Sequence, residues 1–395
     1  MAAQALMAVQ PLRAARARMA PLAASGRGAF HGVIIVDKPV GPTSFDVVRQ
    51  VRRLTGVRRV GHGGTLDPLA SGVLPVCLGE GTKLAQFFLD ADKEYLATIQ
   101  FGAETTTDDA AGAVTATYPV AELSPARVAL ALDGFRGEQT QVPPMFSALK
   151  RDGRPLYDYA RAGEVVERAA RRIAILELEL LAFHACGGDA DQEGGRGSPG
   201  PTADVRVRCS KGTYIRTLAR DLGTALGSGA HLAALRRTRS GPFELARSVS
   251  LDRLMAGELA LIPLAEALGD LATLRLTEGA VRMVSQGQAV TWDELAGPSS
   301  ATVGQGDCGS PCEDGRLTRL LGPTGDLVAV ARRGAPSERV RTLRVFGADR
   351  HDVREPRAPV GPSCAPPMET GVERGDGWMP TQDAERDAEQ DTENV

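Results

Sequence analysis

The apolar residues of this chain change period from segment to segment in no repeating order, which constrains the fold more than any other feature. Val33-Ile34-Ile35-Val36 is a short apolar run closed by Asp37-Lys38-Pro39 and Gly41-Pro42, the pattern of a buried strand entering a turn. Thr43, with Asp46 three residues later, makes a helix start. Val47, Val48, Val51 and Leu54 then share one helical face, with Arg49, Arg52 and Arg53 on the other. From Glu94 to Phe101 the period drops to two, with Tyr95, Ala97, Ile99 and Phe101 on one side. Val205, Val207 and Cys209 alternate with Arg206 and Arg208 in the same way, and Ile215, Leu218, Leu222 and Leu226 restore a helical stripe. Such an irregular order, without a βαβ series, predicts an α+β domain built on a mixed sheet.

Length and charge set the bounds. A chain of 395 residues can hold a large domain and a smaller one. No segment approaches the roughly 18 apolar residues of a membrane span, which argues against a membrane protein. The net charge of −3 hides an uneven distribution: Pro366 to Val395 carries nine acids and two bases, and residues 1–31 carry four Arg and no acid. The body is therefore near neutral, with bases gathered at Arg49–Arg59 and Arg236–Arg239, and a local basic surface for nucleic acid is compatible with the acidic total. Six scattered cysteines do not make a secreted disulfide framework. Cys308 and Cys312 lie close together but lack a second pair or a neighbouring His, so no metal site is expected.

Four regions follow. Residues 1–31 read as a disordered Ala- and Arg-rich extension, with two alternatives: an organellar transit peptide, or a true start at Met19. Residues 32–268 form the main domain, with 187–203 as an inserted loop whose Gly-, Ser-, Pro- and acid-rich part runs from Gly187 to Pro201. Residues 273–348 carry short apolar segments separated by Gly, suiting a small β-rich domain, and 349–395 read as a disordered acidic tail.

The stretch richest in chemistry is GHGGTLDPLASGVLP, Gly61 to Pro75. Gly61, Gly63 and Gly64 permit close approach or positive φ, and Pro68 biases Asp67 away from helix. A carboxylate on such a loop, between Leu66 and Leu69, can project into a cleft, although an Asp-Pro pair is more often a plain turn. The run lacks the Lys-Ser/Thr ending of a phosphate-binding loop and the GxGxxG order of a dinucleotide site.

Five ordered motifs extend the reading. Besides Gly61–Pro75 they are Val36-Asp37-Lys38-Pro39 with Gly41 and Ser44; Asp92-Lys93-Glu94-Tyr95; QVPPMFSALKRDGRPLYDYAR, Gln141 to Arg161; and Lys211-Gly212-Thr213-Tyr214-Ile215-Arg216, followed by Gly229-Ala230-His231 and Leu235-Arg236-Arg237. Together, over about Gly32 to Leu268, they resemble the bacterial TruB family of tRNA pseudouridine synthases, specific for uridine 55 of the T loop. Gly63 departs from the pattern, standing where bacterial members commonly carry Thr.

The resemblance implies a pseudouridine synthase fold: a mixed, mainly antiparallel central sheet flanked by helices, with a small C-terminal β-rich PUA-like RNA-binding domain. It implies Asp67 as nucleophile, Arg216 as a guanidinium that lowers the Asp67 pKa, and Tyr95 on the uracil face as a candidate for removing the C5 proton. Tyr214 and Leu235 would line the pocket, and His62 would fill the space left by a flipped base. Lys38, Lys150, Arg154 and Lys211 would meet phosphates. Read alone, Arg216 is an ordinary helix-start arginine and Tyr95 a core aromatic. Isomerisation oxidises nothing and donates no group, so no cofactor or metal is expected. The expected partner is the tRNA T-stem-loop, bound by a cytoplasmic monomer without an obligatory protein partner. A non-catalytic tRNA-folding factor and a base-excising glycosylase are the rival readings.

Overall fold

The computed structural model describes residues 30–147, 149–164, 166–185, 200–296 and 315–347. The chain divides into two compact units between Leu271 and Ala272. Most of the N-terminal extension, the Gly187–Pro201 stretch up to residue 199, Cys308 and Cys312, and the acidic tail lie outside the described residues.

The first unit is a mixed sheet with helices packed on it. Its strands are β1 (Gly32–Lys38), β2 (Val60–His62), β3 (Ala70–Leu78), β4 (Lys93–Phe101), β5 (Ala103–Thr105), β6 (Val114–Thr117), β7 (Gly137–Gln141), β8 (Lys150–Arg151), β9 (Arg154–Pro155), β10 (Arg171–His184), β11 (Thr202–Cys209), β12 (Ala230–Ser240), β13 (Phe243–Glu244), β14 (Val249–Ser250) and β15 (Leu261–Ile262). The central order is β14-β1-β3-β12-β4-β11-β10-β7, with β2 on β3, β13 on β12 and β15 on β1. β1–β14 and β3–β12 are parallel and the other pairs of this sheet antiparallel. The hairpins β5–β6 and β8–β9 stand apart as two-stranded sheets.

Helices α1 (Ser44–Thr55), α2 (Ala85–Asp90), α3 (Pro125–Asp133), α4 (Leu156–Arg161) and α5 (Ile215–Leu226) join the strands. At the start of α1, Thr43 Oγ1 accepts from Asp46 N at 3.0 Å and the Asp46 carboxylate accepts from Thr43 N at 2.8 Å. Val47, Val48 and Val51 are buried while Arg49 and Arg53 are exposed, so the apolar stripe faces the sheet. Tyr95, Ala97, Ile99 and Phe101 of β4, Val205 and Val207 of β11, and Leu218 and Leu222 of α5 join this core, each full burial worth about 1.5–3 kcal/mol before entropy is charged. The expected loop 187–203 needs correction at its end. Thr202 and Ala203 already belong to β11, where Ala203 pairs with Ile99 and Phe183 and is fully buried.

The second unit holds the strands β16 (Ala272–Arg275), β17 (Leu317–Leu321), β18 (Leu327–Arg332) and β19 (Arg341–Val345), in that order. A helix, Glu278–Ser285, is capped by Thr277 and buries Ala280 and Val284. Trp292, Leu320 and Ala329 complete its core. Among the described residues, no helix is long and apolar enough to cross a membrane.

Candidate active site

The loop between β2 and β3 is pinned on three sides. Ser44, the first residue of α1, donates its hydroxyl to Leu66 O at 3.0 Å and accepts Leu66 N at 2.8 Å. Gly41 N reaches Pro68 O at 2.8 Å, and Gly63 N reaches Pro75 O at 2.9 Å. From β12, Arg237 donates to Gly64 O at 3.0 Å, Thr65 O at 3.2 Å and Val73 O at 2.7 Å. Gly64 takes φ +136°, a conformation that side chains disfavour. Leu66 sinks into the core, and Asp67 opens a turn in which Ala70 N returns to Asp67 O at 3.0 Å. The carboxylate of Asp67 is left facing outward on a fixed backbone.

Gly63 is required by its neighbour. A Cβ there would come within 2.7 Å of Phe88 Cβ, and Phe88 is itself buried edge-on against Phe243, with ring centroids 5.0 Å apart. In this chain the space beside Gly63 belongs to Phe88.

Arg216 enters from the first turn of α5. Its Nε lies 3.0 Å from Asp67 Oδ2 and its Nη1 3.7 Å from Asp109 Oδ2. Nη1 also donates to Thr107 O at 3.2 Å, and the remaining nitrogen, Nη2, donates to Phe146 O at 2.7 Å. The guanidinium is thus buried and fully directed. Asp109 is held by Ala111 N at 3.0 Å and by the Thr107 hydroxyl at 2.5 Å. Nothing in the polar run Thr105–Asp109 distinguishes it from a surface turn, and sequence reasoning missed it.

Electrostatics modify one expectation. Arg216 does lower the Asp67 pKa, but desolvation is the larger effect and Asp109 adds to it, so the carboxyl is held above its ordinary range. Burial likewise raises the Tyr95 phenol, against a lowering by the charge of Arg237. His62 is depressed to about 4 by burial and by Arg237, so it is neutral at pH 7; its Nδ1 accepts Gly64 N at 3.4 Å. Tyr214 is anchored by Gln141, which accepts Tyr214 N at 2.8 Å and donates to Tyr214 O at 3.1 Å, and burial raises its phenol. Leu235 lies half-buried in β12 between Ala70 and Ala97.

The four candidate phosphate contacts separate. Lys38 is fully buried, with Nζ on Pro39 O at 2.9 Å and Pro42 O at 2.8 Å, and burial lowers it to about 8. An ammonium enclosed this way cannot meet an external phosphate; it acts on Asp67 as a nearby charge, and its surface role is withdrawn. Lys150 is exposed on β8. Arg154 packs over the Tyr159 ring at 4.4 Å and donates to Asp158 O at 2.9 Å. Lys211 forms an exposed pair with Asp90 at 2.8 Å. Lys93, which sequence reasoning left as part of a motif, is buried with its ammonium on Phe88 O, Leu89 O and Ala91 O. Arg216 and Lys38 therefore bear on the Asp67 carboxylate, with Asp109 also facing Arg216, while Arg237 and Lys93 gather beside Gly64. Among the described residues, no group of three His, Cys, Asp or Glu side chains could hold a metal ion.

Comparison with known proteins gives this arrangement its relatives. Residues 52–215 match the TruB family pseudouridylate synthase N-terminal domain, and 216–263 the tRNA pseudouridylate synthase B C-terminal domain. A tRNA pseudouridine synthase B of Ectopseudomonas mendocina (strain ymp) is 50% identical over 67% of this chain and 84% of that protein. One of Burkholderia pseudomallei (strain 668) is 46% identical over 70% and 88%. A chain of the solved Cbf5-Nop10-Gar1 complex superposes with a TM-score of 0.58 at 27% identity, covering 80% of this chain and 85% of that one. With a carboxylate loop and an arginine helix lying within the matched segments, the chain belongs to the TruB family of tRNA pseudouridine synthases.

Proposed function

We propose that this protein converts uridine 55 in the T loop of elongator tRNAs to pseudouridine, with Asp67 as the nucleophile acting on a flipped-out base. One observation carries the reading: Asp67 is a partly open carboxylate, 39% exposed, with the buried Arg216 3.0 Å away. Extruding the base costs about a few kcal/mol.

The reaction breaks the bond from ribose C1′ to uracil N1, turns the base and joins C1′ to C5. The C5 proton leaves and N1 ends protonated, so nothing is oxidised. Asp67 serves covalent catalysis here. Asp109, the second carboxylate, is 8% exposed and tied to Arg216, Thr107 and Ala111, so it is not placed to activate the water that glycoside hydrolysis would need. Tyr95, a neutral phenol at pH 7, suits packing on the uracil face; taking the C5 proton needs its phenolate, which the Arg237 guanidinium favours. Tyr214 and Leu235 line the pocket, and neutral His62 fills the space the base vacates. Lys150, Arg154 and Lys211 contact phosphates without reading sequence. The second unit acts as a PUA-like RNA-binding domain, and the enzyme works as a cytoplasmic monomer.

The test is chemical mapping of T-stem-loop RNA after incubation with purified protein. Conversion of one T-loop uridine by wild type, with none by Asp67→Asn, supports the proposal. Release of free uracil would instead identify a glycosylase.

A further inference from the structure

We infer that Arg237 is a positioning residue for this reaction, fixing the nucleophile loop to the pair of strands that carries Tyr95. Three features of its surroundings carry the inference.

First, its hydrogen bonds converge on the reacting groups' own supports. Gly64 O and Thr65 O belong to the loop that presents Asp67, and Val73 O to the strand that loop enters. Tyr95 stands directly opposite Arg237 on the neighbouring strand β4. One planar fork thereby joins the backbone before Asp67 to the backbone after it, from the strand position facing Tyr95.

Second, the sheet is built to bring Arg237 there. Arg237 pairs with Gly72 of β3 on one side and with Tyr95 of β4 on the other. A Cβ on Gly72 would lie 2.1 Å from Arg237 O, and Gly72 has φ +106°. Only a glycine there lets β12 approach β3 closely enough to seat the guanidinium under the loop.

Third, Arg237 is 1% exposed, yet among the described residues no carboxylate pairs with it. A buried cation neutralised only by carbonyl dipoles is a costly arrangement if mere cohesion is needed, since apolar side chains of equal volume serve that as well or better. Its neighbour Arg236 behaves oppositely, pairing with Asp37 at 2.8 Å and Ser71 at 3.2 Å.

The inference rests on the reading of Asp67 as nucleophile, and the experiment separates the two. Single-turnover rates and T-stem-loop affinities are measured for Arg237→Lys and Arg237→Met beside wild type and Asp67→Asn. The expected result is about a hundredfold rate loss in Arg237→Met and about tenfold in Arg237→Lys, with Kd within threefold of wild type in both. Lysine restores the charge but not the fork, so partial rescue is the signature of positioning. If Arg237→Met does not fold, Arg237→Lys decides alone on the same criterion. A wild-type rate in Arg237→Lys, or a rate loss matched by an equal loss of affinity, would overturn the inference while leaving the Asp67 reading intact. Full turnover by Asp67→Asn would instead remove the reading on which it stands.

Discussion

Arg216 Nε lies 3.0 Å from Asp67 Oδ2, and the two side chains differ sharply in access, 6% exposed against 39%. The guanidinium is committed to protein on every side, through Thr107, Phe146 and Asp109, whereas the carboxylate keeps an open face. An open carboxylate beside a buried, fixed counter-charge suits the nucleophile role proposed for Asp67.

Asp109 tunes that pair. Desolvation raises the Asp67 pKa, and the charge of Asp109 raises it further. If ionised Asp67 is the active form, the acid limb of kcat/KM lies above the ordinary carboxylate range. In Asp109→Asn the limb should move to lower pH, with a rate loss of about tenfold or more as Arg216 loses its second anchor. A pH profile of kcat/KM measures both, and an unmoved limb contradicts the coupling.

Stability should respond in the opposite sense to activity. The folded-state pKa of Asp67 is raised above its ordinary 3.8, so the native protein keeps a proton that the unfolded chain releases. The contribution of Asp67 to native stability therefore falls as pH rises from 3.8 through its folded value. Asp67→Asn should melt at or above the wild-type temperature at pH 7, and any advantage should vanish below pH 3.8. Thermal melts at both pH values test this; a clearly lower melting temperature for the variant at pH 7 would show that the Arg216 pair outweighs desolvation.

Gly63→Thr should destabilise the fold by about 1–3 kcal/mol through overpacking, because Phe88 Cβ stands 2.7 Å from the added Cβ. Removing the ring with Phe88→Ala clears Cδ2 and Cγ, 2.9 and 3.2 Å from the added Cβ, so the double variant should lose less than the sum of the single variants. Denaturant titration gives both values, and additive losses contradict the steric explanation.

Lys150→Ala, Arg154→Ala and Lys211→Ala should each weaken T-stem-loop binding several-fold while sparing single-turnover rate. Each should also reduce the slope of log K against log salt by about 0.7–0.9. Affinities measured across a salt series test this, and unchanged slopes remove the phosphate contacts.

Local patterns carried the elements further than they carried the site. The cap of α1 was legible in Thr43 and Asp46, and the faces of β4 and β11 in their alternation, because each signal lies within one element. The Asp67–Arg216 contact was legible only through the family resemblance, since it joins a loop to a helix far along the chain. Arg236 and Arg237 read as one basic cluster, yet on a strand neighbours point to opposite faces, and one is paired near the surface while the other is buried. Lys38 read as a surface cation for want of any sign that Pro39 and Pro42 would supply its carbonyl partners.

The most direct measurement is tritium release from T-stem-loop RNA labelled at uridine C5, because joining C1′ to C5 must expel that hydrogen. Wild-type protein should release the label from one uridine per RNA, and Asp67→Asn should release none while binding the RNA within threefold of wild type. Release by Asp67→Asn at the wild-type rate would contradict the assignment of the reaction to that carboxylate.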